Sequence, residues 1–327
     1  MRTRKLSALA VALTLGLGVG AGAGLPGAAA AGDEASAARA ASAAAAPAAA
    51  APAAAAPATT ATTRASGAAS ATKPRLRLAW RDDFTGRAGK APNRRNWTYD
   101  TQGGGWGNEQ LEYSTRRPEN VSLDGSGHLA ITARSDNVKG LTCWYGPCRY
   151  TSARITTLGK HTAGHGRVEA RMKLPAGSGL WPAFWLMGAN YPTVGHPASG
   201  EIDVMEYVGQ EPWRVWSSVH GPGYVRAGLT APFNLPAGST YADAFHTFAL
   251  DWSPQELAFS VDGTVYHRVP RSAVGDHEWV FDKPFFIILN LAVGGSWGGE
   301  PGPETRFPAR MLVDYVAVYR PASSGGR

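Results

Sequence analysis

Beyond residue 74, apolar and polar residues alternate with a period of two along most of the chain. In "RVEARMKL", Val168, Ala170, Met172 and Leu174 fall on one side, and Arg167, Glu169, Arg171 and Lys173 on the other. "HLAITAR" groups Leu129, Ile131 and Ala133 in the same way. Successive side chains of an extended strand point to opposite faces, so this alternation predicts strands with one face buried. "ELAFSVDGTVYHRV" predicts two strands joined at Asp262-Gly263, a dipeptide suited to the tight turn of a hairpin. "MLVDYVAVY" is a further strand. "FFIILNLAV" is apolar almost throughout, as a strand covered on both faces requires. No amphipathic helix of useful length interrupts the pattern. Many strands separated by Gly/Pro turns imply an all-β fold, a two-sheet antiparallel sandwich over residues 74–321, with 322–327 as a tail.

The first 73 residues follow a different rule. Arg2, Arg4 and Lys5 precede an apolar run from Leu6 to about Val19, and small residues follow. That order predicts a signal peptide over residues 1–31, and hence a secreted, extracellular protein with no membrane association after cleavage. Residues 32–73 are rich in Ala, Pro and Thr, with Pro47, Pro52 and Pro57 breaking any long Ala helix, so a disordered tether is expected. The formal charge of +7 invites a nucleic-acid partner. Residues 1–73 carry six Lys/Arg and two Asp/Glu, so +4 of it belongs to the leader and only +3 to the remainder, spread without a patch. Nucleic acid is not the expected partner. Cys143 and Cys148, in "CWYGPC", close a short turn and in an exported chain are expected to form a disulfide. His161 and His165 share strand parity but have no carboxylate or Cys beside them to complete a metal site. Asn96-Trp97-Thr98 and Asn120-Val121-Ser122 fit an N-glycosylation pattern.

Residues 199–209, "SGEIDVMEYVG", carry the candidate chemistry. On a strand, Glu201 and Asp203 point the same way, with Ile202 and Val204 directed into the core. Strict alternation would then send Glu206 into the core, where an unpaired carboxylate is costly. One extra residue accommodated as a β-bulge at or near Met205 returns Glu206 to the side of Glu201. A solvated acidic face is the plain alternative, but like charges two positions apart repel and apolar residues flank the row. Two carboxylates in a cleft suit a glycosidase. Retaining enzymes hold such a pair roughly 5–5.5 Å apart, one as nucleophile and one as acid, then base. A third acid between them can share a proton and spread their pKa values.

This segment resembles the active-site strand of glycoside hydrolase family 16 in its bulged form, E-x-D-x-x-E. "WPAFWLMG" at 181–188, "SSVHGPGY" at 217–224, "FHTFALDWSP" at 245–254, "FFIILNLAVGGSWGG" at 285–299 and "MLVDYVAVY" at 311–319 are similar to its bacterial laminarinase branch, in the same order. The resemblance implies a curved antiparallel β-sandwich, a concanavalin-like jelly roll, with the acids in a concave groove. It implies an endo-β-1,3-glucanase acting on β-glucan as a monomer with retention and without a catalytic cofactor. Glu201 matches the nucleophile, Asp203 the assisting acid and Glu206 the general acid/base. Trp181, Trp185 and His220 match sugar-binding positions, although either Trp could instead be core. Trp297, in a Gly-rich loop, reads as the groove rim. Asn108 matches a sugar-binding loop, which here has Gln110 where Glu is usual and Glu112 where Gln is usual. A structural calcium would take backbone oxygens of Asp83 and Gly127 and the side chain of Asp314. A mixed-linked glucanase or galactan hydrolase of the same family, or a glucan-binding protein without activity, are the competing readings.

Overall fold

The computed structural model describes residues 75–225 and 229–322. The leader and tether, residues 1–73, lie outside these, as does most of the tail.

Two antiparallel sheets face each other. In the first, neighbouring strands are Thr264–Pro270, Glu256–Val261, His246–Trp252, Gly166–Lys173, Ala309–Pro321, Leu129–Ala133 and Val121–Leu123. An eighth strand, Leu76–Asp82, extends this sheet along Ala309–Pro321, beyond the part that pairs with Leu129–Ala133. The second sheet runs Thr230–Asn234, Arg214–His220, Glu201–Glu206, Leu180–Gly188, Phe285–Val293, Arg154–Thr156 and Thr98–Asp100. The hairpin at Asp262-Gly263 has φ of 49° and 82°, the left-handed region that this turn requires.

Alternation decides which face each strand buries. Val168, Ala170 and Met172 project inward from the first sheet, and Leu180, Phe184 and Leu186 from the second, into one apolar cluster. Burying each large apolar side chain contributes roughly 1.5–3 kcal/mol, so the many inward positions hold the sheets together. All nine residues of Phe285–Val293 are buried. Phe285, Ile287, Leu289, Leu291 and Val293 enter that core. On the opposite face Phe286 and Ile288 are covered by Met187 and Trp185, and Ala292 by Trp181. The outward face of the second sheet is therefore furnished with aromatic rings rather than left to water.

Two loops are fastened against that face. The backbone N–H of Leu111 donates to the Val293 carbonyl at 2.7 Å, and that of Ser296 donates to the Asn108 carbonyl at 2.8 Å. A hairpin closed by the Cys143–Cys148 disulfide packs on the first of these loops. Asn120 is wholly buried, its side-chain amide donating to the Thr132 carbonyl and the Thr151 hydroxyl. The glycosylation pattern there is a structural hydrogen-bond site.

Candidate active site

The strand Glu201–Glu206 starts from Gly200, whose φ of +74° and crowding against Val280 and Phe285 leave no room for a Cβ. Its register then breaks once. Asp203 lies opposite Ser218, but Glu206, three residues on, lies opposite Trp216, only two residues away on its partner. The same extra residue shows against the other neighbour, where Trp185 faces Asp203 and the adjacent Phe184 faces Met205. Val204 and Met205 are consequently both buried in the core, and Glu206 emerges on the face of Glu201 and Asp203.

The surroundings of the three acids are apolar and aromatic, with histidines in place of Lys or Arg as ion-pair partners. Nε2 of His196 lies 3.2 Å from a Glu201 oxygen, and Nε2 of His220 lies 3.1 Å from Asp203. Trp181 donates its Nε1–H to Glu206 at 3.1 Å. Asp203 is only 3% exposed. Burial is the largest influence on each acid and pushes all three pKa values up, because it penalises the charged form. Glu201 is raised to about 8, first by burial and then by the Asp203 charge, with His220 and Arg154 opposing. Asp203 is raised to about 7, its rise limited by the hydrogen bond it accepts from Glu201. Glu206 is raised well above the carboxylate range by burial and by the charges of both neighbours. Three carboxyls in this site cannot all ionise. Burial and the charges of Asp203 and Glu201 hold Glu206 toward its protonated form, while Glu201 and Asp203 share a hydrogen bond.

Comparisons with known proteins agree with this geometry. Residues 107–317 match the family described as "Glycosyl hydrolases family 16". The chain belongs to glycoside hydrolase family 16. It is 41% identical over 257 residues to the beta-glucanase of Rhodothermus marinus, covering 76% of this chain and 86% of that one. With the glucan endo-1,3-beta-glucosidase A1 of Niallia circulans it shares 33% over 262 residues, 75% of this chain but only 38% of that protein. The solved endo-beta-1,3-glucanase of Pyrococcus furiosus is 44% identical, with a TM-score of 0.70 over 77% of this chain and 97% of that one. The sandwich is the jelly roll of family 16.

The aromatic expectations resolve differently at each position. Trp181 and Trp185 both leave the outward face of Leu180–Gly188. Trp181 is nevertheless 92% buried, since its exposure is 8%, because Trp297 meets it edge-on at 5.2 Å. Trp185 donates Nε1–H to Asn290 at 2.7 Å. Trp297 stays 37% exposed at the rim and also meets Trp216 edge-on at 6.4 Å. Asn108 is half-buried on the loop held by Ser296. Gln110 is buried and bridges to Gly294. Glu112 is also buried and accepts the Val293 N–H at 2.9 Å, and burial raises its pKa to about 8.

Several residues of the site carry no obvious mark in the sequence. Arg154 lies between two indoles, 4.1 Å from the centroid of Trp106 and 4.7 Å from that of Trp185, and pairs with Asp100 at 3.1 Å. Strand register sets Asp100, Arg154 and Asn290 side by side, in the row that continues through Ala183 to Glu206. His196 reaches Glu201 from the loop between two strands. Asn290 alone had a signal, as the single polar residue in "FFIILNLAV".

The expected calcium ligands lie on or next to the other sheet. The Asp314 carboxylate is paired with Arg171 at 2.6 Å, and that of Asp83 with Arg81 at 2.6 Å. Asp83 and Gly127 were expected to offer backbone oxygens, so of the three positions only Asp314 has its expected donor engaged by an arginine. Among the described residues, the one His/Asp/Glu group close enough to hold a metal is Glu201, Asp203 and His220, which is the acid cluster itself. Hydrolysis in family 16 needs no cofactor.

Proposed function

We propose that this protein is a secreted endo-β-1,3-glucanase that cleaves internal bonds of laminarin- or curdlan-type β-glucan with retention of configuration. Glu206, protonated at rest, donates its proton to the leaving glycosidic oxygen as Glu201, whose shared proton passes to Asp203, attacks the anomeric carbon as a carboxylate. The C–O bond breaks and a glycosyl ester forms on Glu201. Water then attacks that carbon, Glu206 takes its proton, and Glu201 leaves. Asp203 holds Glu201 through their shared proton and, by its charge, keeps Glu206 protonated. The observation that carries the reading is the single bulge that returns Glu206 to the face of Glu201 and the buried Asp203, beside Trp181. Linkage preference is supported by the names of the relatives, the beta-glucanase and the endo-beta-1,3-glucanase above.

The test is a product profile on laminarin, curdlan, lichenan and agarose. Release of oligosaccharides from the first two ahead of the others is expected, and preference for lichenan or agarose would overturn the linkage. For the mechanism, Glu206→Ala with azide and an activated aryl β-glucoside yields a β-glycosyl azide. An α product means inversion. Export is checked by the mass of the protein recovered from culture medium, which lacks the first ~30 residues when the leader is processed.

A further inference from the structure

We propose that Trp144, on the disulfide-closed hairpin, is a distal sugar platform that binds the far end of a long glucan chain; this rests on the glucanase reading above. Trp144 is 52% exposed, yet its position is fixed. Its ring Nε1–H donates to the Gln110 carbonyl at 2.9 Å, and its backbone N–H to the Gly103 carbonyl at 2.8 Å. The ring lies against Gly105, where an added Cβ would come within 2.9 Å of it, and Tyr145 meets it edge-on at 5.5 Å. Tyr145 is itself tied down, its hydroxyl donating to the Leu111 carbonyl at 2.6 Å. The Cys143–Cys148 bond closes the turn that carries both rings.

A lone exposed indole needs no special explanation on most surfaces. Here two features set it apart. Its only donor is already used, so what remains open to solvent is apolar ring surface, suited to the C–H face of a neutral pyranose. It also continues the groove. Trp185 stands beside the acids, Arg154 covers Trp185, Trp106 covers Arg154, and Gly105, next to Trp106, carries Trp144. Contacts thus link Asp203 in turn to Trp185, Arg154, Trp106, Gly105 and Trp144. Because the ring is already ordered, binding costs little further side-chain entropy. Short oligosaccharides engage the acids and never reach it.

The experiment compares Glu201→Gln with Glu201→Gln/Trp144→Ala by calorimetric titration with a β-1,3-glucotriose and with a long β-1,3-gluco-oligosaccharide. Affinity for the long ligand should fall about tenfold, equivalent to about 1.4 kcal/mol, while that for the triose holds. An equal fall for both, or none, overturns the proposal. If neither parent nor variant binds any β-1,3-glucan, the glucanase reading has failed instead. Where Trp144→Ala unfolds the hairpin, Glu201→Gln alone decides: the long ligand should shield Trp144 from N-bromosuccinimide oxidation, read by peptide mass, and the triose should not. Oxidation of Trp144 unchanged by the long ligand refutes it.

Discussion

The outward faces of the two sheets both carry rows of carboxylates, and they treat them in opposite ways. On the first sheet Glu169, Asp251 and Asp314 each have an arginine partner. Glu169 receives Arg167 at 2.7 Å and the hydroxyls of Tyr315 and Tyr319, Asp251 receives Arg167 at 2.8 Å, and Asp314 receives Arg171 at 2.6 Å. On the second sheet Glu201, Asp203 and Glu206 have histidine, tryptophan and each other. The first arrangement satisfies charge, and the second leaves it frustrated. A fold gains nothing by crowding acids together without Lys or Arg partners, so their presence marks the face on which stability has been given up for chemistry.

The contrast breaks first on activity. Glu201→Ala should lower glucan hydrolysis by roughly 10⁴-fold or more without unfolding the protein, and Glu206→Ala by roughly 10²–10⁴-fold. Reducing-end release together with a thermal melt measures both. Glu169→Ala, on the paired face, should leave turnover intact. If it abolishes turnover as well, the two faces do not divide the labour as described.

Packing beneath the groove comes next. Met205 is fully buried as one of the two consecutive core residues of the bulge, so Met205→Ala should cost about 2–5 kcal/mol in a denaturant titration. Loss of less than that would mean the bulge relaxes freely.

Neutralising an acid should then move stability in opposite directions on the two faces. The folded-state pKa of Glu206 lies above its unfolded value, so the native state holds the extra proton between them and loses stability as pH rises through that window. Glu206→Gln should therefore raise Tm, increasingly so toward alkaline pH, whereas Glu169→Gln, which discards a charge partner of Arg167, should lower it. Glu112 follows the groove rule: with its pKa near 8 against an ordinary 4.5, Glu112→Gln should be neutral in melts near pH 4.5 and stabilising near pH 8.

The smallest effects sharpen the electrostatics. The Asp203 charge helps keep Glu206 protonated, so Asp203→Asn should let Glu206 ionise earlier and shift the alkaline limb of kcat/KM to lower pH. An unmoved limb would assign that limb to another group. Arg171→Ala, removing a partly exposed pair, should change stability by no more than about 1 kcal/mol.

What the sequence determined by itself was everything governed by local periodicity. Alternation in "RVEARMKL" and "FFIILNLAV" specified strands and their buried sides, and "DG" specified a hairpin, because side-chain direction along a strand depends only on position parity. The same parity located the bulge, since Glu206 would otherwise sit in the core. What only the tertiary structure decided is how distant strands line up. Arg154 reaches Trp185 because Arg154–Thr156 and Leu180–Gly188 both flank Phe285–Val293, and nothing near residue 154 encodes that neighbour. His196 and Trp106 arrive from loops whose course is set by where the strands end. The Arg171 partner of Asp314, 143 residues away in the chain, arrives in the same way. Period-two order is written in adjacent residues, whereas a site's charge balance depends on contacts between residues far apart in the chain, which exist only after the sheets have packed.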